Sequence, residues 1–320
     1  MTILTVTVNP SIDVACSAPA VQHTRKVRTS AESYAPGGGG INVARVLTRL
    51  GADVTACYLA GGISGPVFDA LLAAEGVKGH RIDIADDTRM SFTVFDEASG
   101  KEYRFVPEGP QFAPSELAAL ETYVADARAE WLVLSGSLPG WVQPDLYVRL
   151  KALAAPHGTQ MALDTSGEAL AVAMAAGGWD LVKPSLGEFE SLTGARFPDA
   201  DPDAIGESAL QLVRNGAAAR IVVSMGHRGA LMATAAGYRF CAALPVEAHS
   251  AVGAGDSFVA AMVDVLARGG DDADAFRAGM AAGTAAVLTP GSNLAHRQDI
   301  ARLCDDAKTM DMSLRLPGED

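Results

Sequence analysis

The sequence predicts a three-layer α/β fold with a mainly parallel sheet, and three observations support this fold class. Of the 320 residues, 49% are hydrophobic and 20% are charged, which is typical of a chain that buries a large core. Short apolar runs alternate with helix-length segments, as they do in a parallel sheet that has helices on both faces. Two segments with strand-like patterns interrupt this alternation. We therefore expect one domain over residues 1–320 that carries a small additional β-sheet.

The predicted elements follow one another from the N-terminus. Thr2–Val8 is rich in β-branched residues and predicts a buried strand that ends before Pro10. A helix is predicted over 41–50, because apolar residues recur there at helical spacing between Gly37–Gly40 and Gly51. The further predictions are a helix near Pro66–Glu75 and short strands at Val54–Leu59, Trp131–Leu134, Met161–Leu163, Leu181–Val182 and Ile221–Val223.

Two insertions are expected to form the additional sheet. Val14–Tyr34 contains extended pieces without a helical pattern, and Met90–Val106 alternates around a turn at Glu97–Gly100, which is typical of a hairpin. Antiparallel strands from these insertions, at about 12–35 and 88–108, would pair with one another. Beside the carboxyl ends of the main strands, such a sheet would act as a lid over a ligand site. Two decorative hairpins are the alternative interpretation.

The charge balance and the absent motifs exclude several function classes. The chain has 25 basic and 38 acidic residues, a net charge of −13, and the resulting field repels nucleic acids and anionic membranes. No secretory signal is visible in the sequence and no apolar run suited to span a bilayer, so neither is expected. The four cysteines and six histidines show no metal-ligand spacing, so we expect a reduced, cytoplasmic protein. An anionic ligand would need a local basic pocket.

The strongest local feature is the octapeptide AVGAGDSF at Ala251–Phe258, which precedes an apolar helix. Gly253 and Gly255 allow the backbone to approach a ligand, and the N–H groups at the helix start can bind an anion. Asp256 would then be placed to remove the proton from a hydroxyl that attacks a phosphoryl group. The octapeptide alone fits an ordinary acidic helix start equally well. No P-loop motif occurs, and Phe258 replaces the third glycine of a dinucleotide-binding motif.

Other polar residues near the predicted strand ends are weaker candidates. The run Gly37–Gly40 is a second place where the backbone can approach a ligand. Asp13 and Asn42 have side chains that can bind sugar hydroxyls, although a turn and a helix start explain them as well. The cations Lys26, Arg28 and Arg89 lie in or next to the predicted lid, and each taken singly is explained as a solvated surface charge.

Five motifs, in order, resemble those of the ribokinase/PfkB family of sugar kinases. They are PGGGGINVAR at 36–45, SGSLP at 135–139, VKP at 182–184 with Glu188, SxGxxG at 224–229 and VGAGDS at 252–257. The resemblance covers nearly the whole chain. It implies a ribokinase-like α/β/α sandwich with a β-sheet lid, an ATP-dependent kinase that uses Mg²⁺, and a homodimer formed through the lid. A sensor on the same fold, which binds sugar phosphate or nucleotide without turnover, is the alternative from another class.

The resemblance also implies roles for individual residues. Asp256 would be the catalytic base, beside a backbone anion hole made by Gly253, Ala254 and Gly255. The groups that would bind the sugar hydroxyls are Asp13, Gly38, Gly39 and Asn42. Those that would bind the sugar phosphate are Lys26, Arg28, Arg89 and Ser137. Those that would face ATP are Lys183, Ser185, Glu188, Ser224, Gly226 and Gly229, with Mg²⁺ on Glu188 through water. A monovalent cation such as K⁺ would be bound near Ser250, Val252, Ala286 and Gly291.

Two features favour fructose 6-phosphate as the substrate. A cluster of cations suits a dianionic phosphate, and relatives that act on fructose 1-phosphate or tagatose 6-phosphate usually have Lys in place of Gly39. Those two sugar phosphates remain the alternative substrates. The chain also departs from the family pattern. Ser185 replaces an Asn, which predicts a perturbed nucleotide site, and Thr289 and Asn293 leave activation by a monovalent cation open.

Overall fold

The computed structural model describes residues 1–289, 291, 293–308, 310 and 312–316. The strands of the main sheet are β1 (Thr2–Thr7), β4 (Asp53–Gly61), β5 (Lys78–Ile84), β8 (Trp131–Ser135), β9 (Gln160–Asp164), β10 (Leu181–Val182), β11 (Arg220–Ser224), β12 (Ala230–Thr234) and β13 (Gly237–Cys241). Those of a separate small sheet are β2 (Ser11–Ala18), β3 (Ser30–Gly37), β6 (Arg89–Asp96) and β7 (Lys101–Phe105). The helices are α1 (Gly39–Leu50), α2 (Gly65–Ala74), α3 (Pro114–Asp126), α4 (Leu146–Ala154), α5 (Gly167–Ala176), α6 (Leu186–Thr193), α7 (Pro202–Arg214), α8 (Ala254–Ala267), α9 (Asp272–Val287) and α10 (Arg297–Ala307).

The main sheet has the order β13-β12-β11-β10-β9-β8-β1-β4-β5. From β5 to β11 every neighbouring pair is parallel, so the mainly parallel sheet that the sequence predicts is confirmed. The last two strands, β12 and β13, pair antiparallel and were not predicted. They form a hairpin with a turn of two residues between Thr234 and Gly237, and such a turn cannot join parallel strands.

Helices cover both faces of the main sheet, because successive side chains of each buried strand point to opposite sides. Ile3 packs into a core formed with α1, α2, α8, α9 and α10, whereas Leu4 and Val6 pack into a core formed with α3 to α7. These are the three layers that the alternation of strands and helices predicts. Within the described part of the chain, none of the helices combines the length and the apolar character needed to cross a membrane.

The small sheet has the order β3-β2-β6-β7 and leaves the main sheet at the carboxyl ends of β1 and β5. Its outer pairs are antiparallel, but β2 and β6 run parallel, with Asp13 opposite Ser91. The expectation that the two insertions would pair as antiparallel strands is therefore wrong at this central pair. Because β1 and β5 point in the same direction, the strands that follow them leave the main sheet in the same direction.

The two faces of the small sheet differ in polarity, because alternate residues of a strand point to opposite faces. Arg89 and Ser91 on β6 face the carboxyl edge of the main sheet together with Arg104 on β7. The intervening Phe92 and Phe105 lie on the other face, where 42% and 56% of their surfaces are exposed. The small sheet thus covers a polar cleft with one face and presents aromatic side chains to the outside with the other.

Candidate active site

The start of α8 lies at the floor of the cleft. Gly253 precedes the helix with a left-handed conformation (φ 71°), and a Cβ there would lie 2.1 Å from Cδ2 of Leu294. Only glycine therefore fits this turn without displacing Leu294. Asp256 is the third residue of α8, and the N–H groups of the first turn have no partner within the helix. The turn that the sequence analysis singled out is thus a helix start with an acidic side chain beside backbone N–H groups, of which that of Ala254 makes a long hydrogen bond of 3.4 Å to the carbonyl of Ala251.

The surroundings of Asp256 suit a base that works near neutral pH. Its Oδ2 accepts a hydrogen bond of 2.9 Å from Nδ2 of Asn42. Burial raises the pKa of Asp256 to about 7, and the negative charges of Asp164 and Asp13 add to this effect, whereas Asn42 and Lys183 oppose it. A carboxyl group with such a pKa is a stronger proton acceptor than an exposed aspartate.

The cleft between the small sheet and the start of α8 has a volume of about 290 Å³. Its wall on the small sheet is formed by Ser11, Asp13, Ala15, Arg89, Ser91, Thr93, Arg104 and Val106. Its other wall is formed by Gly38, Asn42, Ala251, Val252, Gly253, Asp256 and Gly291. The cleft therefore joins residues of the N-terminal glycine-rich motif to residues of the C-terminal one, although more than 200 positions separate Asn42 from Asp256 in the chain.

The glycine-rich turn before α1 makes room for Asp13. A Cβ at Gly37 would lie 2.1 Å from Oδ2 of Asp13, and Gly38 has a φ of +113° that favours glycine. The Asp13 carboxylate accepts a bond of 2.6 Å from the Ser11 hydroxyl. Gly39 does not face Asp13 but packs closely against the end of β8. A Cβ at position 39 would lie 2.3 Å from Oγ of Ser135. Packing thus accounts for glycine at position 39, whichever sugar phosphate is bound.

Two arginines on the cleft wall differ in how they are held. Arg89 is anchored, since it donates hydrogen bonds of 2.8 and 2.9 Å to the carbonyls of Pro107 and Asn9. The side chain of Arg104 makes no hydrogen bond or ion pair with any described residue, although its charge acts on Asp13, and its exposed guanidinium lines the cleft, where it can bind a ligand. The sequence analysis missed Arg104. The alternation around the predicted hairpin would have found it, because Arg104 lies between two outward-facing aromatic residues.

A second group of predicted residues lies at the carboxyl ends of β9, β10 and β11. Nζ of Lys183 is 3.3 Å from Oδ1 of Asp164, and both side chains are largely buried. A Cβ at Gly255 would lie 3.2 Å from the same Nζ, so Lys183 adjoins the first turn of α8. Burial raises the pKa of Asp164, although the Lys183 ammonium opposes this. Asp164 was not predicted as a site residue; its position directly after the apolar run of β9 is the signal that could have found it.

Ser185 and Glu188 form a capping box at the start of α6. The N–H and the hydroxyl of Ser185 donate to Oε2 of Glu188 at 2.7 and 2.8 Å. The N–H of Ser224 donates to the carbonyl of Pro184, which places the turn from Ser224 to Gly229 beside this helix start. No group of three or more His, Cys, Asp or Glu side chains that could hold a metal occurs among the described residues.

Several predicted residues lie outside the cleft. Lys26 and Arg28 are exposed on the segment between β2 and β3, and Ser137 is exposed in the loop after β8. The candidates for a monovalent cation site are Ser250, Val252, Ala286 and Gly291. Of these, Val252 and Gly291 line the cleft, whereas Ser250, before α8, and Ala286, at the end of α9, do not. The carbonyl of Ala286 already accepts hydrogen bonds from the N–H and the hydroxyl of Thr289.

Comparisons with known proteins identify relatives over most of the chain. The sequence pattern of the pfkB family of carbohydrate kinases matches residues 7–298. The chain is 41% identical over 303 residues to the ATP-dependent 6-phosphofructokinase isozyme 2 of Mycobacterium tuberculosis, which covers 94% of this chain and 88% of that protein. It is 31% identical over 312 residues to the 1-phosphofructokinase of Borreliella burgdorferi, with 97% and 99% covered. A crystal structure of phosphofructokinase-2 from Escherichia coli in complex with fructose-6-phosphate has a TM-score of 0.89 and 37% identity, and covers 96% of this chain and 99% of that chain.

Proposed function

The chain belongs to the pfkB family of carbohydrate kinases, and from that premise we propose that it transfers the γ-phosphoryl group of ATP to fructose 6-phosphate. The product would be fructose 1,6-bisphosphate. The observation that carries the proposal is the position of Asp256, with a pKa of about 7, across one cleft from Arg89 and Arg104. A base and a phosphate-binding pair on opposite walls suit a substrate that has a hydroxyl at one end and a phosphate at the other.

In the proposed reaction, Asp256 accepts the proton of the sugar 1-hydroxyl as its oxygen attacks the γ-phosphorus. The bond from the γ-phosphorus to the bridging oxygen breaks, and ADP leaves with that oxygen. The N–H groups of Gly253, Ala254 and Gly255 would stabilise the charge on the transferred group, as donors at a helix start do. Asp13, Gly38, Gly39 and Asn42 are proposed to orient the sugar hydroxyls, because an attacking oxygen must be aligned with the bond that breaks.

The nucleotide is proposed to bind beside the ends of β10 and β11. Lys183 offers an ammonium group next to the first turn of α8, and Asp164 keeps that ammonium in place. Glu188, with one oxygen held by Ser185, would bind Mg²⁺ through water, and the metal would supply positive charge to the phosphates. The remaining proposed contacts to ATP are Ser185, Ser224, Gly226 and Gly229. Ser185 stands where the family has Asn, and its hydroxyl donates to Glu188, so the proposed nucleotide site is expected to be perturbed by this replacement.

A monovalent cation is proposed to bind at carbonyl groups near the start of α8. Carbonyl oxygens are suitable ligands for K⁺, and the candidates are Ser250, Val252, Ala286 and Gly291. Thr289 already donates two hydrogen bonds to Ala286, which weakens that carbonyl as a ligand. We therefore assign the main part of such a site to the other three residues. The cytoplasmic location expected from the sequence is also part of the proposal.

We propose that the small sheet acts as a lid, and that the aromatic faces of two such sheets pair in a homodimer. Aromatic residues on an exposed sheet face are typical of an interface. Lys26 and Arg28 lie on the lid outside the cleft of their own chain, so they would reach a sugar phosphate only after lid movement or dimerisation.

Replacing Phe92 with Asp is expected to dissociate the homodimer, because a buried charge would face the apolar lid of the partner. Analytical ultracentrifugation should give the mass of two chains for the wild type and of one chain for Phe92→Asp. Ile63→Asp is the matched control, since Ile63 is 88% exposed but lies outside the small sheet. A wild-type protein with the mass of one chain would contradict the pairing of lids.

The substrate assignment is tested by kcat/KM for three sugar phosphates. We expect fructose 6-phosphate to exceed fructose 1-phosphate and tagatose 6-phosphate by about tenfold or more, a ratio that one favourable hydrogen bond can provide. ADP release in a coupled assay measures all three. A preference for fructose 1-phosphate would instead support the activity named for the Borreliella relative. Binding of all three sugar phosphates without turnover would support the sensor.

A further inference from the structure

A cluster of three charged residues, one of them buried and two partly exposed, lies outside the cleft on α1 and at the end of α2. The carboxylate of Glu75, the residue that follows α2, bridges two arginines one turn apart on α1. Its Oε1 is 2.9 Å from Nη2 of Arg45, and its Oε2 is 2.8 Å from Nη2 of Arg49. Arg45 is 1% exposed, so its position is fixed by the surrounding protein. None of the three residues lines the cleft.

One arm of this cluster leads to the proposed base. Nη1 of Arg45 lies 3.4 Å from Oδ1 of Asn42, and Nδ2 of Asn42 donates to Asp256 at 2.9 Å. A guanidinium has donors only, so it requires the oxygen of the amide to face it. The NH₂ group of Asn42 must then point toward Asp256. Arg45 also donates to the carbonyl of Pro36 at 3.2 Å, which fixes the end of β3 in the small sheet.

The other arm leads to the turn on which α8 begins. Nη1 of Arg49 donates to the carbonyls of Asn293 and Ala295 at 2.6 and 3.3 Å. Between them, Leu294 has a positive φ of 57°, a conformation that costs a non-glycine residue free energy. The side chain of Leu294 is fully buried and packs where a Cβ of Gly253 would lie. Arg49 thus holds a strained turn against the start of α8.

We propose that Glu75 is a positioning residue for the base Asp256, acting through the two arginines that its carboxylate bridges. This inference rests on the proposed function, because it assigns to Glu75 the geometry of the proposed base. Through Arg45, Glu75 keeps the Asn42 amide oriented as a donor to Asp256. Through Arg49, it keeps the Leu294 turn in place beside the anion hole.

Glu75→Gln tests the proposal with a nearly isosteric side chain. Glutamine offers one acceptor oxygen, so it cannot bridge both arginines as the carboxylate does. We expect kcat to fall about tenfold with the KM for ATP nearly unchanged, since the bridge lies outside the nucleotide site. Arg45→Lys should resemble Glu75→Gln, because an ammonium keeps the charge but lacks the planar fork that reaches Glu75 and Asn42 together.

A second measurement requires no substrate. The charged groups that face Asp256 are Asp164, Lys183 and Asp13, and none of them changes in these variants. When Asn42 is no longer held as a donor, the pKa of Asp256 should rise by about half a unit to one unit. Carboxyl ¹³C NMR of aspartate-labelled protein measures this pKa, and Asp256→Asn assigns the resonance. An inactive wild type would refute the proposed function but would leave this measurement valid.

Two controls separate positioning from a structural role. Glu121 pairs with Arg149 between α3 and α4 and is 27% exposed, against 26% for Glu75. Glu121→Gln removes an ion pair of similar exposure on the carboxylate side and should leave kcat and the pKa of Asp256 unchanged. Asn42→Ala combined with Glu75→Gln should lower kcat less than the product of the two single effects, because both act on one contact. An unchanged pKa in Glu75→Gln and Arg45→Lys, or equal effects of the two glutamine variants on kcat, would overturn the proposal.

Discussion

Asp256→Asn is expected to reduce kcat by about 10²–10⁴-fold, the range that general bases contribute. Asparagine keeps the size of the side chain and the oxygen that accepts from Asn42, but it cannot accept the proton of a hydroxyl. Binding of ATP should persist, since the proposed nucleotide contacts lie elsewhere. A coupled ADP assay measures the loss, and isothermal titration calorimetry measures ATP binding. Asp264→Asn is the matched control, because Asp264 lies on the same helix and pairs with the exposed Arg268.

Asp256→Asn is also expected to change how the thermal stability of the protein depends on pH. The pKa of Asp256 in the folded protein, about 7, lies above its ordinary value of 3.8, so the folded state binds this proton more tightly than the unfolded state. The contribution of Asp256 to stability therefore falls as pH rises between these two values and is constant above about 7. The Tm of Asp256→Asn should exceed that of the wild type at pH values above 7, and the difference should shrink toward pH 4. An activity near that of the wild type, or a lower Tm at alkaline pH, would contradict the assigned role.

The pH dependence of the wild type follows from the same group. Asp256 can accept a proton only in its ionised form, so kcat/KM should rise as pH increases through about 7. Burial is the main cause of this raised pKa; the charges of Asp164 and Asp13 raise it further, and Lys183 lowers it. The residual kcat/KM of the Asp256→Asn variant should not show this rise as pH increases through about 7.

Arg104→Met is expected to raise the KM for fructose 6-phosphate by about 10- to 100-fold, because a hydrogen bond to a charged group contributes about 1.5–3 kcal/mol. The variant should keep its stability, since the side chain of Arg104 is exposed and makes no hydrogen bond or ion pair with any described residue. Arg89 is a less clean test, because it also ties the carbonyls of Asn9 and Pro107 together.

Lys101→Met provides the control for Arg104→Met. Lys101 lies on the same strand, β7, but its side chain alternates to the other face of the small sheet. The Lys101→Met variant should therefore leave the KM for fructose 6-phosphate unchanged. Equal KM values for the Arg104→Met variant and the wild type would show that the phosphate binds elsewhere, and Lys26→Met and Arg28→Met would then identify the alternative cations.

The sequence by itself predicted the layered fold, and its resemblance to the family pointed to Asp256 as the proposed base. Strand and helix periods differ, so apolar patterns alone separated the buried strands from α1, and the glycines around Asp256 predicted a helix start that can bind anions. The direction in which two strands pair cannot be predicted from such local patterns, because it depends on where distant elements of the chain lie. The parallel pairing of β2 with β6 and the antiparallel β12 and β13 therefore emerged only in the structure.

The arrangement of the cleft was decided by tertiary structure. No local pattern places Asn42 beside Asp256, or Asp164 beside Lys183, since these pairs meet only when the carboxyl ends of several strands converge. The role of Arg104 could not be predicted for the same reason. Its side chain reaches a ligand site only because the small sheet covers the cleft with the face that carries Arg104. A pKa depends on the burial and the charges around a group, and for this reason the sequence could name Asp256 while only the folded chain gives it a pKa of about 7.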